Sequence, residues 1–274
     1  MTEPAATTAR EGATEIARSF VDARQQARAL PGFPGPLPRS LDEGYRIQEA
    51  AIGLWPAKVV GWKIGKVPPA VQAEVGETRL VGPIFAGNVQ RPAAGEPGVF
   101  ATIPGGFSAV EAEVVIRLAK DAPPDKLDWT PEEALDLVDA FLIGCEAAGS
   151  PLATINELGP RVVVSDFGNN AGLILGPAIP GWRDADPSAL TCRTLVNGVE
   201  VGTGSAANLE GGPAGCLAWI LGHTARRGRP LRAGDLVTTG QLTGIHDVRP
   251  GDEAIIDFGA LGQVRCTATI AQAK

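Results

Sequence analysis

Residues 110–119 read VEAEVVIRLA, and this stretch decides the fold. Side chains on a β-strand point alternately to its two faces. One face here takes Glu111, Glu113, Val115 and Arg117, and the other takes Ala112, Val114, Ile116 and Leu118. The second set is a core face. The same texture extends outward in both directions. Upstream lie VVGWKIGKV (59–67), LVGPIFAGNV (80–89) and GVFATI (98–103). Downstream, DAFLIGCEA (139–147) reads as a buried strand, and GDLVTTG (234–240), DEAIIDFG (252–259) and QVRCTATI (263–270) close the chain in strand. Asn197-Gly198 between CRTLV and VEVGTG is the strongest short hairpin signal. Gly234-Asp235 and Gly251-Asp252 each mark a turn before a strand.

Helices punctuate this pattern. Thr130 as N-cap, Pro131 at N1 and Glu133 three residues after the cap form a capping-box start, with Ala134, Leu135 and Val138 as apolar positions. Pro213 opens another helix over 213–227 with Leu217, Ile220 and Leu221 inward. At the N-terminus, residues 1–12 are small and polar and are expected to fray. A helix from Thr14 to Ala29 carries a stripe of Ile16, Phe20, Ala23 and Ala27. Four prolines and two glycines in 31–38 force a loop. A second helix follows, with Ser40 as N-cap, Glu43 completing the box and Pro56 as stop. There is no βαβ alternation, phosphate-binding glycine loop or internal repeat. The expectation is an α+β protein: a helical region over 1–58 and a mixed β domain over 59–274.

Composition narrows the function classes. The 274 residues are 44% hydrophobic and 20% charged, enough for a sizeable core. Gly (35) and Pro (23) favour many short strands over long helices. A net charge of −7 with no basic cluster speaks against nucleic acid. No apolar run approaches the roughly 20 residues that span a bilayer. The first 20 residues lack the apolar segment of a signal peptide. Four dispersed cysteines without a CxxC pair read as reduced thiols in a cytoplasmic protein.

The chemistry concentrates on a few side chains. Glu111 and Glu113, at i and i+2, have Cα atoms about 7 Å apart on one strand face. Their carboxylates can converge on a hard cation such as Mg²⁺, Mn²⁺ or Ca²⁺. A solvated sheet face is the commoner reading of that pattern. Glu146 ends the apolar run FLIGC, where a carboxylate must be paired, coordinated or in reach of water. Lys63, among Val, Trp and Ile, either points to water, the reading the residues favour, or meets an anion. Asp166 and Asn170 lie between two apolar runs and either cap a turn or line a site. Gly240, after Thr239, lets a ligand approach the backbone. His223 falls in a helix's last turn, where a cation is favourable. His246 is a loop residue.

Taken together, LDEGYRIQEA, GWKIG, VEAEVVIRLA, GCEAAGS, NNAGLILG, VNGVEVGTG, AWILGHTARRGRPLRAGDLVTTG and RPGDEAIIDFGALGQV resemble the 2-keto-4-pentenoate hydratase and 4-oxalocrotonate decarboxylase branch of the fumarylacetoacetate hydrolase superfamily. The resemblance spans nearly the whole chain. It implies a mixed β-roll of the fumarylacetoacetase C-terminal type with an N-terminal helical region, assembled as a homo-oligomer that serves aromatic-compound catabolism. It implies that Glu111, Glu113 and Glu146 bind Mg²⁺ or Mn²⁺, that Lys63 is the active-site lysine, and that Asp166, Asn170, Thr239 and Gly240 line the pocket. The implied reaction is lyase chemistry on a small 2-oxo or 2-hydroxydienoic acid through an enolate stabilised by the cation. Hydration and decarboxylation share that enolate. Hydrolytic C–C cleavage ranks below them, because the histidine of a His–Glu pair is missing. A non-catalytic partner subunit is the reading from another class. Two departures stand out: Leu80 occupies the place of an acid in hydratases, and Asn169-Asn170 replace small or hydroxyl residues.

Overall fold

The computed structural model describes residues 3–93 and 95–273. Two helices lead, α1 (Glu3–Gln25) and α2 (Leu41–Leu54). Strand β1 (Val59–Lys66), helix α3 (Pro69–Val75) and strands β2 (Arg79–Phe85), β3 (Val89–Gln90) and β4 (Gly98–Thr102) follow. The long β5 (Phe107–Leu118) and β6 (Val138–Ser150) flank α4 (Pro131–Leu135). Then come α5 (Pro160–Ser165), β7 (Asn170–Ala178), β8 (Thr191–Val196), β9 (Val199–Ser205) and α6 (Gly212–Arg226). The chain ends with β10 (Leu236–Thr238), β11 (Ile245–Asp247), β12 (Glu253–Asp257) and β13 (Gln263–Ile270).

Eight strands form one sheet in the order β2-β1-β10-β5-β6-β7-β3, with β11 paired to β5. Five form a second, β4-β13-β12-β8-β9. The alternation in β5 sets the layers. Ala112, Val114, Ile116 and Leu118 join a large core that includes Phe20, Leu217 and Ile220 of the helices and Ile256, Val264 and Cys266 of the second sheet. Val115, on the other face, joins a separate small cluster. That cluster takes Ile84 from β2, Leu236 from β10, Leu142 from β6, and Leu173 and Leu175 from β7. Side chains from opposite ends of the sheet meet there, so the eight-stranded sheet curls around its inner face. Curling brings β2 against β7 and against the turn that precedes it. Among the described residues, no helix is long and apolar enough to cross a membrane.

Several local expectations need correction. Helix α1 starts at Glu3, inside the stretch expected to fray, whose Met1 and Thr2 lie outside the described residues. It stops at Gln25 rather than Ala29, because Ala27 adopts φ 51° and Arg28 N–H turns back to the Ala23 carbonyl. Ser40 caps α2, but the Glu43 carboxylate accepts from the Arg39 N–H rather than from Ser40. Thr130 and Glu133 do form a complete capping box. The helix they open has only five residues, and Val138 already belongs to β6. At 12 and 13 residues, β5 and β6 are not the short strands that the glycine and proline content suggested.

The curl depends on one close approach. A Cβ on Gly82 of β2 would lie 1.9 Å from the Phe167 carbonyl oxygen, a backbone atom that cannot step aside alone. Gly82→Ala is therefore expected to destabilise by about 1–3 kcal/mol, the usual cost of overpacking. For a chain of this size that lowers the melting temperature by roughly 2–10 °C. An unchanged melting curve would mean that β2 does not press on that turn.

Candidate metal centre

Glu111 and Glu146 face each other directly across the β5–β6 ladder, and Glu113 stands two residues along β5. All three lie on the inner face of the curl. Their exposures are 2%, 0% and 0%, so the solvated-face reading does not hold. One carboxylate oxygen from each lies within 4.8 Å of the others. Like charges opposite one another destabilise a sheet, and burial out of water multiplies the cost.

The neighbours pay only part of that cost. Lys63 of β1 is buried, not turned to water. Its Nζ lies 3.3 Å from Glu146 Oε1 and donates to Asn169 Oδ1 at 3.2 Å. Asn170 Nδ2 donates to Glu146 Oε1 at 3.0 Å, and Thr238 Oγ1 to Glu146 Oε2 at 3.3 Å. The Gly240 N–H donates to Glu113 Oε2 at 2.6 Å. Glu111 Oε1, Glu113 Oε1 and Asn170 Oδ1 remain buried acceptors without partners. The other unpartnered buried side-chain atoms among the described residues are nitrogens elsewhere in the fold. Fully ionised, as a bound cation would require, three carboxylates and one ammonium sum to −2. Orphaned oxygens and a double negative charge fit a hard divalent cation held by Glu111, Glu113 and Glu146.

The electrostatics follow from burial. Burial, then the charges of Glu146 and Glu111, drive the Glu113 carboxyl well above its ordinary value, despite Lys63 and the Gly240 N–H. Burial likewise raises Glu146 to about 7, even though Lys63 pulls the other way. For Lys63, burial disfavours the charge, but Glu146, Glu111 and Glu113 outweigh it and hold the ammonium above its ordinary range. Lys63 meets three carboxylates, whereas Glu146 meets one ammonium and the opposing charge of Glu111, so attraction outweighs burial for the lysine and not for Glu146.

Asp166 is not brought to this cluster. Arg24 of α1 grips it with Nε at 2.6 Å from Oδ1 and Nη2 at 2.9 Å from Oδ2, and Ser150 Oγ donates to Oδ2 at 2.6 Å. The next three residues, Phe167, Gly168 and Asn169, all take positive φ (57°, 61° and 55°). Two of these are not glycine, so the turn stores strain. It delivers Asn169 to Lys63 and leads into Asn170. Thr239 turns its hydroxyl to the Val114 carbonyl, so its neighbour Thr238, not singled out from sequence, meets Glu146. Asn169 was likewise noted only as a departure. His223 is not a helix-end cation: it is stacked on Trp219, and burial with Arg227 and Arg226 nearby lowers it to about 4. His246 lies on β11, within hydrogen-bonding reach of Thr243. The four cysteines are free and buried.

A cavity of about 1300 Å³ between α1, α2 and α6 touches none of the three glutamates. Size is a weaker guide here than the chemistry of the donor set. A smaller cavity of about 270 Å³ reaches Thr239 and Gly240.

Glu113 and Glu146 hold protons more tightly folded than unfolded, where the ordinary value is 4.5. Between that value and their raised ones, the folded chain binds more protons than the unfolded, so stability falls as pH rises. Metal-free protein is expected to lose stability from about pH 4.5 through about 7 on this account. Glu113→Gln is expected to flatten that loss, and its stability gain over wild type should be larger at pH 8 than at pH 5. Denaturant melts in EDTA measure this; a gain independent of pH would contradict the coupled site.

Residues 84–269 match the family described as fumarylacetoacetate (FAA) hydrolase C-terminal. A 2-keto-4-pentenoate hydratase of Burkholderia vietnamiensis is 31% identical over 215 residues, covering 77% of this chain and 79% of that one. The enzyme of that name from Paraburkholderia xenovorans is 29% identical, over 92% and 93% of the two chains. Among solved structures, 4-oxalocrotonate decarboxylase from Pseudomonas putida G7, complexed with magnesium and adipate, superposes with a TM-score of 0.78 at 22% identity, over 94% and 98% of the chains. Fumarylpyruvate hydrolase from Pseudomonas aeruginosa, with Mn²⁺ and pyruvate, gives 0.56 at 18% identity, over 79% and 91%. Those two likenesses establish the fold, and the family match with the hydratase relatives establishes kinship. The chain belongs to the fumarylacetoacetate hydrolase C-terminal family.

Proposed function

We propose that this protein is a divalent-metal-dependent lyase acting on small 2-oxo or 2-hydroxydienoic acids, in the manner of a 2-keto-4-pentenoate hydratase. One observation carries the reading: three buried carboxylates converge with unpartnered oxygens beside a buried lysine. Glu111, Glu113 and Glu146 would hold Mg²⁺ or Mn²⁺. The bound ion would supply electrophilic stabilisation of negative charge developing on the substrate's 2-oxygen.

The chain's own groups divide the rest. Lys63 stays protonated at neutral pH. An ammonium has three N–H donors. Glu146 and Asn169 engage two, which leaves one for a substrate oxygen or a proton transfer. Asn170 and Thr238 fix the Glu146 carboxylate from both sides. Gly240 does the same for Glu113, and its lack of a side chain leaves the backbone open to substrate. Asp166 serves as a positioning residue, holding the turn that presents Asn169 and Asn170. By resemblance we place the protein in the cytoplasm as a homo-oligomer.

Leu80 favours a second reading, decarboxylation of a 4-oxalocrotonate-type acid. It is 4% exposed, and its side chain lies against Gly65. A Cβ on Gly65 would sit 2.8 Å from Leu80 Cδ1 and 3.8 Å from Lys63 Nζ, so the leucine stands near the ammonium. Adding water calls for a group that orients or delivers it. A leucine cannot, whereas loss of CO₂ needs only the electron sink.

The test is turnover of metal-stripped protein, with and without Mg²⁺ or Mn²⁺, on a panel of 2-hydroxydienoates and 2-oxoenedioates. Mass spectrometry distinguishes gain of water from loss of CO₂. Lys63→Met is expected to retain Mn²⁺ binding and lose at least about a hundredfold in turnover, the scale of a lost proton-transfer group. Near-normal turnover in that variant would remove Lys63 from the chemistry. A loaded wild type inert on every acid, without deuterium exchange at C3, would instead favour a non-catalytic partner subunit.

A further inference from the structure

Residues directly opposite one another in a sheet ladder share a face, so the ladders fix what surrounds the glutamates on the inner face. Apart from the Glu111–Glu146 pair, Glu111 faces Ile245 of β11, Glu113 faces Gly144 of β6, and Glu146 faces Leu173 of β7. Two of these three directions are closed. Gly144 and Leu173 are buried. A Cβ on Gly144 would lie 2.5 Å from Val115 Cγ2 and 3.7 Å from Leu173 Cδ1, so aliphatic side chains fill that end of the curl. Toward β1 and β2, a Cβ on Gly65 would lie 2.8 Å from Leu80 Cδ1, so Leu80 closes the side beyond Lys63. The cavity that reaches Gly240 includes none of Lys63, Glu111, Glu113 and Glu146 in its lining. Ile245 differs: it is 45% exposed, although its ladder partner Glu111 is buried. The next residue of β11 on the same face, Asp247, is also exposed and stands opposite Ala109. A single exposed isoleucine is ordinary on a protein surface. One paired directly with a buried carboxylate marks where an enclosed site meets water.

We propose that the glutamate cluster opens to solvent past Ile245, and that Ile245 is a specificity-determining residue whose side chain packs against the substrate carbons beyond the 2-oxo acid group. The second half rests on the proposed function, which places the 2-oxo acid end at the glutamates. Once the first two carbons are held there, the rest of the chain cannot run toward Val115 and Leu173, or toward Leu80, because those directions are packed. It leaves along β11. Directly opposed side chains on a sheet have Cβ atoms about 4.5–5.5 Å apart, so Ile245 stands beside Glu111 within reach of the next few carbons of a bound acid. Contact between that chain and the isoleucine removes apolar surface of both from water. Leu173 and Val115 cannot play this part, since they already fill the closed end.

Two measurements test this without requiring turnover. The first is calorimetric binding of pyruvate and of 2-oxohexanoate to Mn²⁺-loaded protein. A fully buried methylene is worth roughly fourfold in affinity, so partial burial of three should make the longer acid bind about tenfold tighter to wild type. Ile245→Ala, at a half-exposed position that does not endanger folding, should cut that ratio several-fold by weakening the longer acid alone. Ile245→Leu, which conserves volume, should keep most of it. The second measurement uses Ile245→Cys. The four native cysteines are buried, so in the folded protein a bulky maleimide should react first with the introduced thiol. Bound Mn²⁺ with 2-oxohexanoate should slow that labelling, and completed labelling should slow removal of Mn²⁺ by EDTA several-fold. Slowed removal with no binding of either acid would support the opening and sink the proposed function alone. Mn²⁺ that leaves as fast after complete labelling, or Ile245→Ala weakening both acids alike or neither, would overturn the inference while leaving the proposed function in place.

Discussion

The structure is organised around a concentration of like charge that water cannot reach. Three carboxylates and one ammonium lie inside a curled sheet with almost no exposure. Each buried ion costs several kcal/mol, and the attraction of Lys63 for Glu146 does not cancel the repulsion among the glutamates. The surrounding scaffold must therefore be stiff enough to keep them together. Long β5 and β6 fix Glu111 opposite Glu146. The small aliphatic cluster of Ile84, Val115, Leu142 and Leu173 fills the curl on the same inner face. The backbone at Gly240 and the amide of Asn170 take up individual oxygens. What remains unpaired is a set of acceptors, the feature that points to a cation.

A second layer of structure aims the first. Helix α1 contributes more than a cover, because Arg24 reaches Asp166 and the carbonyl of Gly149 at the end of β6. Ser150 joins the same carboxylate and accepts from the Leu152 N–H. This knot secures one end of a turn that runs through three positive-φ residues. Gly82 and Gly168 let β2 pass close to it. The turn sets Asn169, whose amide donates to Asn156 and accepts from Lys63. A helix near the chain start is thereby linked to the lysine through one ion pair and one strained turn, both far apart in sequence.

Much of this was legible in the residues. The face alternation of VEAEVVIRLA separates two real cores, Asn197-Gly198 closes the β8–β9 hairpin, and the caps at Ser40 and Thr130 start helices where expected. Curling was not legible. Strand alternation says which residues share a face, not whether that face looks at solvent or into a barrel. That is why Glu111 and Glu113 fitted a solvated face and Lys63 fitted an outward one. Register was equally hidden: Thr238 and Thr239 differ by one residue, and only pairing with Val115 sends the first toward Glu146. For Asp166 the residues left a turn cap and a site both open, because nothing in its neighbourhood announced an arginine 142 positions away. His223 looked like a cation because its helix position favours one, while the packing of Trp219 against it decides otherwise.

The central claim is that the three glutamates form one cation site. Anomalous scattering from crystals grown with Mn²⁺ tests it most directly. The expected result is a single strong peak per chain between the carboxylates of Glu111, Glu113 and Glu146, with oxygen ligands at about 2.0–2.6 Å. A peak held by other residues, or none at saturating Mn²⁺ with the carboxylates still clustered, would contradict it.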